Sequence, residues 1–155
     1  MYPIQLNLKR KHIVIVGGGK IAWRKLQKLK GEDCTIDIVS PTFDSLFLNA
    51  DLPAHIQCFS KQYEAKDIAL ADLIIIATND KDVNDRVRLD AKRHQWVNHT
   101  GDRSQSDFFN MKTVAFDGVT FNISSDGESI QKTQYYAEKL EAFLKSLEGD
   151  YDAKN

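Results

Sequence analysis

Hydrophobic positions along the chain alternate between two spacings. Residues 12–16 (His-Ile-Val-Ile-Val) make a short apolar run ending at Gly17-Gly18-Gly19, the pattern of a strand buried on both faces. Residues 20–30 then place Ala22, Leu26 and Leu29 at helical spacing among lysines, which predicts an amphipathic helix stopped by Gly31. Thr35–Val39 reads as a second strand closed by Ser40-Pro41, and a further strand is expected at 56–59 within an irregular stretch. Leu73–Ala77 is a buried strand, Asn79 or Asp80 can cap the helix after it, and Val83, Val87 and Ala91 form that helix's apolar stripe. Trp96–His99 completes the series. Two successive strand–helix–strand units predict an α/β fold, a Rossmann-like doubly wound parallel sheet with helices on both faces.

The pattern changes after about residue 110. Thr113–Phe116 and Val119–Ser124 read as a hairpin turned by Asp117-Gly118, followed by a helix over 129–148 with Tyr136, Leu140, Phe143, Leu144 and Leu147 on one stripe. The expected division is a Rossmann-like domain over 1–112, a small C-terminal αβ appendage over 113–150 and a frayed tail over 151–155. The appendage is too small for a core of its own, so it is expected to pack on the main domain or on another copy.

Composition narrows the class. The chain has 155 residues, 42% of them hydrophobic and 28% charged, which is ordinary globular usage. Its longest strongly apolar run, Leu73–Ala77, is far short of the ~20 residues of a membrane helix. The N-terminus shows no basic flank leading into an apolar core, so a cytoplasmic protein is expected. Cys34 and Cys58 have neither CxxC spacing nor a histidine at metal spacing, so no metal site is expected and both read as small thiols beside strands. Residues 1–31 hold eight of the 21 Lys and Arg and none of the 22 acids, yet the net charge is only −1. Lys25 and Lys28 read as the wet face of the first helix, and no nucleic-acid partner is expected.

The candidate chemistry begins at Val16-Gly17-Gly18-Gly19-Lys20-Ile21-Ala22, which fits G-x-G-x-x-(G/A) with Gly17, Gly19 and Ala22 in the three roles. The first glycine permits the turn out of the strand, the second lets a pyrophosphate approach the backbone, and the small third residue lets helix and strand pack closely. The acid expected after the second strand is missing; Ser40-Pro41-Thr42 stands there, and Asp37 lies inside the strand. A serine suits a ribose hydroxyl or a 2′-phosphate, so the residues leave NAD and NADP open. Thr78, Asn79 and Asp80 end a strand on the rim where doubly wound sheets bind ligands, with Asn84 one turn on. On the same rim, Asp102 is the best-placed general base and His99 the best-placed histidine.

These residues resemble the precorrin-2 dehydrogenase family, the N-terminal module of sirohaem synthase. The resemblance rests on Pro3–Leu8 leading into Val14–Gly19, on Ala22-x-Arg24-Lys25, on Ile76–Asp80 with Asn84 and Val87, on Val97-Asn98, on Asp107–Phe109 and on Ile123–Ser129. It implies NAD as cofactor, oxidation of precorrin-2 to sirohydrochlorin, and a homodimer formed through the appendage. It also implies Gly19, Lys20 and Ile21 against the pyrophosphate, Ser40 and Pro41 near the adenosine, and Thr78, Asn79 and Asp80 near the nicotinamide. The substrate's eight carboxylates make Arg103, Lys112 and Lys132 candidates for its pocket, with Ser124 in the turn before the last helix. The chain departs from the family pattern in two places. Gly101 stands where many members have aspartate, with Asp102 one place later, and Asp126-Gly127 and Ser129-Ile130 replace the usual Gly-Gly and Ser-Pro. Two other functions are compatible with the sequence: a dehydrogenase that also inserts iron, and a non-catalytic dinucleotide-sensing module.

Overall fold

The computed structural model describes residues 2–126 and 128–147. Two compact units result, residues 4–109 and the described residues from Asn110 onward together with Tyr2 and Pro3.

The larger unit contains β1 (His12–Val16), α1 (Lys20–Leu26), β2 (Thr35–Ser40), α2 (Ser45–Leu48), β3 (Ile56–Ser60), β4 (Leu73–Ile76), α3 (Lys81–Asp90) and β5 (Trp96–His99), with short 3-10 turns at Ala65–Ile68 and Arg103–Gln105. All five strands are parallel, in the order β3-β2-β1-β4-β5. Strand pleating sends alternate residues of each strand to opposite faces. Ile13, Ile15, Ile36, Ile38 and Ile75 pack under Ala22 and Leu26 of α1. Val14, Val16, Ile74, Ile76 and Val97 pack against Val83 and Val87 of α3. The continuous apolar runs of β1 and β4 follow from this, since neither face of the central strands meets water. The fold is the α/β, Rossmann-like doubly wound sheet. The chain leaves β1 toward β2 on one side and later returns to β4 on the other, so the carboxyl ends of β1 and β4 open a crevice between them.

The first helix is shorter than its hydrophobic spacing suggests. α1 ends at Leu26, and Lys28 N–H to the Lys25 carbonyl and Leu29 N–H to the Leu26 carbonyl tighten the chain into turns. Leu29 keeps its apolar contact without remaining helical.

The smaller unit is a two-stranded antiparallel hairpin, β6 (Lys112–Phe116) and β7 (Val119–Ile123), followed by α4 (Ile130–Ser146). Asp117 and Gly118 both have positive φ, 48° and 72°, as a two-residue type I′ turn requires. Ser129 caps α4 by accepting from the Lys132 N–H. The unit has a small core of its own: Val114, Ala137 and Leu144, with Phe116, Phe121, Ile123, Leu140 and Leu147 around them. The packed stripe of α4 is therefore Ala137, Leu140, Leu144 and Leu147. Tyr136 and Phe143, expected on it, stand 60% and 59% exposed, because each precedes a packed position by one residue and is rotated off the hairpin side. The polar tail, Gly127 and Glu148 lie outside the described residues.

Candidate functional site

The crevice is a cleft of about 740 Å³ at the carboxyl ends of β1, β2 and β4. That volume is within the range of pockets that hold a small molecule or cofactor. Its floor is the glycine elbow between β1 and α1. The three glycines there are needed for different reasons. Gly17 has φ +126°, and a Cβ on it would run into the Ala77 carbonyl at the end of β4. A Cβ on Gly18 would strike the Thr42 carbonyl and the Phe43 ring. Gly19 has an ordinary backbone, φ −90° and ψ −174°, and its Cβ would meet nothing within 4 Å. The fold therefore requires the first two glycines and is indifferent to the third. What a side chain at position 19 would fill is open cleft, directly before the Lys20, Ile21 and Ala22 N–H groups, which have no intrahelical acceptor. A cofactor diphosphate fits that space.

Nine residues singled out in the sequence line the cleft: Gly17, Gly19, Lys20, Ile21, Ser40, Pro41, Thr78, Asn79 and Asp80. Ala22 does not; it is fully buried on the sheet-facing side of α1, where its small side chain allows close packing. The Ser40 hydroxyl donates to the Thr42 carbonyl at 2.7 Å, so its hydrogen is committed to the loop. Asp80 accepts from the Asp82 and Val83 N–H groups at 3.0 and 3.1 Å, capping α3. Thr78 Oγ1 donates to Asn84 Oδ1 at 2.5 Å, and Asn84 Nδ2 donates to the Thr78 carbonyl at 3.2 Å. Asn84 is thus buried to brace the loop after β4.

Sequence reasoning missed part of the wall. Beyond Thr42, the residues Phe43, Asp44, Gln62 and Tyr63 also line the cleft. The loop after β2 folds back onto the elbow, where the Asp44 N–H donates to the Gly18 carbonyl at 2.8 Å. Tyr63 donates its hydroxyl to Asp90 at 2.9 Å; burial and that carboxylate push its pKa up, so it stays a neutral donor. The only available signal was an acid four places beyond the end of β2, outside the window where a ribose ligand is usually sought.

The rim after β5 is arranged differently. His99 is buried, and its Nδ1 accepts from the Gly101 and Asp102 N–H groups at 3.1 and 2.8 Å. In the neutral ring the proton is therefore on Nε2. Asp102 accepts from the Ser104 hydroxyl at 2.7 Å, from Gln105 at 3.0 Å and from the Ser104 N–H at 2.9 Å, and these donors hold its carboxyl below the usual range. Neither residue is among those lining the cleft. The Arg103 guanidinium lies 4.9 Å from the centre of the Phe109 ring. Ser124, Lys112 and Lys132 belong to the smaller unit, and Ser124 Oγ accepts from the Asp126 N–H at 3.0 Å.

Lys25 departs from the expected wet helix face. Its ammonium donates to Asn98 Oδ1 on β5 at 2.6 Å, and Asn98 Nδ2 donates to the Phe108 carbonyl at 2.9 Å. Burial, with Lys28 and Arg24 adding repulsion, lowers its pKa to about 8. Among the described residues, no three His, Cys, Asp or Glu side chains come together as a metal cluster, and no helix is long and apolar enough to cross a membrane.

Residues 4–111 match the family described as "Putative NAD(P)-binding". Precorrin-2 dehydrogenase of Bacillus subtilis is 30% identical over 154 residues, covering 99% of this chain and 93% of that protein. Siroheme synthase of Blochmanniella pennsylvanica is 31% identical, and the chain spans 31% of its length. The solved structure of "SirC, precorrin-2 dehydrogenase" superposes with a TM-score of 0.83 at 27% identity, covering 98% of this chain and 78% of that one. With its sheet order, its glycine elbow and its near-complete match to a relative of almost the same length, the chain belongs to the precorrin-2 dehydrogenase family.

Proposed function

We infer that the protein is an NAD-dependent oxidoreductase that converts precorrin-2 to sirohydrochlorin on the way to sirohaem. The observation that carries this reading is Gly19, a glycine that neither backbone conformation nor packing demands, facing open cleft at the switch point of the sheet. The overall step is precorrin-2 plus NAD+ to sirohydrochlorin, NADH and a proton. Bound NAD+ supplies the hydride acceptor. Gly19, Lys20 and Ile21 hold the diphosphate, Ser40 and Pro41 border the adenosine, and Thr78, Asn79 and Asp80 border the nicotinamide. The braced Thr78–Asn84 pair keeps that last loop fixed, so that orientation is set before substrate arrives.

The proton lost from the macrocycle needs an acceptor on the same rim. We assign it to Asp102, whose three donors keep it ionised at neutral pH. His99, whose Nδ1 accepts two backbone N–H groups and so leaves the neutral ring's proton on Nε2, is proposed as a hydrogen-bond donor to the substrate rather than a base. Arg103, Lys132 and Ser124 remain the proposed contacts for the polyanionic substrate. The test is an anaerobic assay with precorrin-2 and NAD+, followed by the absorbance of sirohydrochlorin. Turnover is expected; NAD+ binding without turnover would mark a sensing module instead, and an added Fe2+ arm reads any sirohaem formed.

A homodimer in the cytoplasm belongs to the same proposal. Val119, Ile130, Tyr135, Tyr136 and Phe143 of the smaller unit are exposed apolar side chains, more than such a unit leaves in water without a partner surface. A second copy of the chain is the proposed cover. The double variant Tyr136→Glu/Phe143→Glu is expected to lower the mass in solution from dimer to monomer, read by light scattering, because two buried carboxylates would go unpaired. An unchanged mass places the contact elsewhere.

A further inference from the structure

We propose that Asp44 sets the preference for NAD over NADP, standing in for the acid missing from the end of β2. The inference rests on the cleft being a dinucleotide site. In this sheet order the adenosine ribose lies over the carboxyl end of β2, where an acid commonly holds the 2′-hydroxyl. Here β2 ends in Ser40-Pro41, and the Ser40 hydroxyl hydrogen is used on the Thr42 carbonyl, so Ser40 has no donor to offer a 2′-phosphate. The chain then turns back: the Asp44 N–H is pinned to the Gly18 carbonyl at 2.8 Å, which places Asp44 in the cleft wall. One carboxylate oxygen caps α2 by accepting from the Leu46 N–H at 3.0 Å. The other oxygen is available to a ribose hydroxyl.

The surrounding charges favour the same choice. Lys61, just past β3 and bonded through its N–H to the Ser40 carbonyl, has its ammonium tied to Glu64 at 2.6 Å and Asp67 at 2.8 Å. It would have to break those pairs to meet a 2′-phosphate. Lys20 stands at the elbow, where the diphosphate takes it. A 2′-phosphate entering beside Asp44 thus meets a like charge and no released cation, whereas a 2′-hydroxyl meets an acceptor.

The test measures NADH and NADPH dissociation constants by calorimetry on the full chain and on Asp44→Asn and Asp44→Ser. Both replacements are good N-caps, so α2 keeps its start while the charge goes. The NADH preference of the native protein is expected to fall by about tenfold or more in both variants, chiefly through tighter NADPH. Loss of up to about threefold in NADH affinity is expected from the missing ribose contact, within the range for one hydrogen bond. An unaltered preference in both variants, with NADH still binding, overturns the role of Asp44 alone. A native protein that binds neither nucleotide overturns the dinucleotide reading itself.

Discussion

Gly19→Val is expected to weaken NAD+ binding by at least about 100-fold while leaving the fold intact, because its branched side chain would occupy the pyrophosphate's approach. The extended backbone at Gly19 suits a β-branched residue, and the new Cβ meets no protein atom within 4 Å. The stability change should stay within about 1 kcal/mol, reflecting the loss of a tolerable helix-capping residue. Gly17→Ala is the counterpart. There the positive φ and the Ala77 carbonyl both oppose a side chain, so a loss of more than about 1 kcal/mol is expected from backbone strain alone. Calorimetric titration with NAD+ and thermal melting separate the two. Native affinity in the Gly19 variant would mean the diphosphate lies elsewhere.

Asp102→Asn is expected to lower kcat by about 10²–10⁴-fold, the usual worth of a general base, with NAD+ affinity held within about twofold of native. The asparagine oxygen can still accept from the Ser104 N–H, so the turn after β5 keeps its cap. The pH profile gives an independent reading. Hydrogen bonds from Ser104 and Gln105 lower the carboxyl's pKa, so its basic form persists to lower pH than an ordinary carboxylate's. The acid limb of kcat should therefore lie at lower pH than an ordinary carboxylate would give, with activity flat through the neutral range. The asparagine variant should lose that limb. Full activity in the variant would assign the proton to solvent or to another group.

How far the molecule could be read from its sequence depended on whether a residue's reason lies nearby in the chain. The elbow was legible because Gly17 turns the chain locally and Gly19 follows two places later, and strands β1 and β4 announced themselves by runs that no surface strand would carry. Lys25 was not legible. Its spacing puts it among solvated lysines, and only the tertiary approach of β5 brings Asn98 to its ammonium and lowers its pKa. Asp44 was missed for a similar reason, since its distance from β2 in sequence says nothing of a loop that doubles back to Gly18. On α4 the periodicity located the helix but not its face. Ala137, one of its two buried residues, carries too little hydrophobic weight to mark the stripe beside Tyr136 and Phe143.

The most direct test of the central claim is a crystal structure of the chain with NAD+ bound. The diphosphate should lie over Gly19 within hydrogen-bond distance of the first backbone N–H groups of α1, with the adenosine toward Ser40 and Asp44 and the nicotinamide toward Thr78. Density for the nucleotide anywhere else, or a side chain filling the space above Gly19, would contradict it.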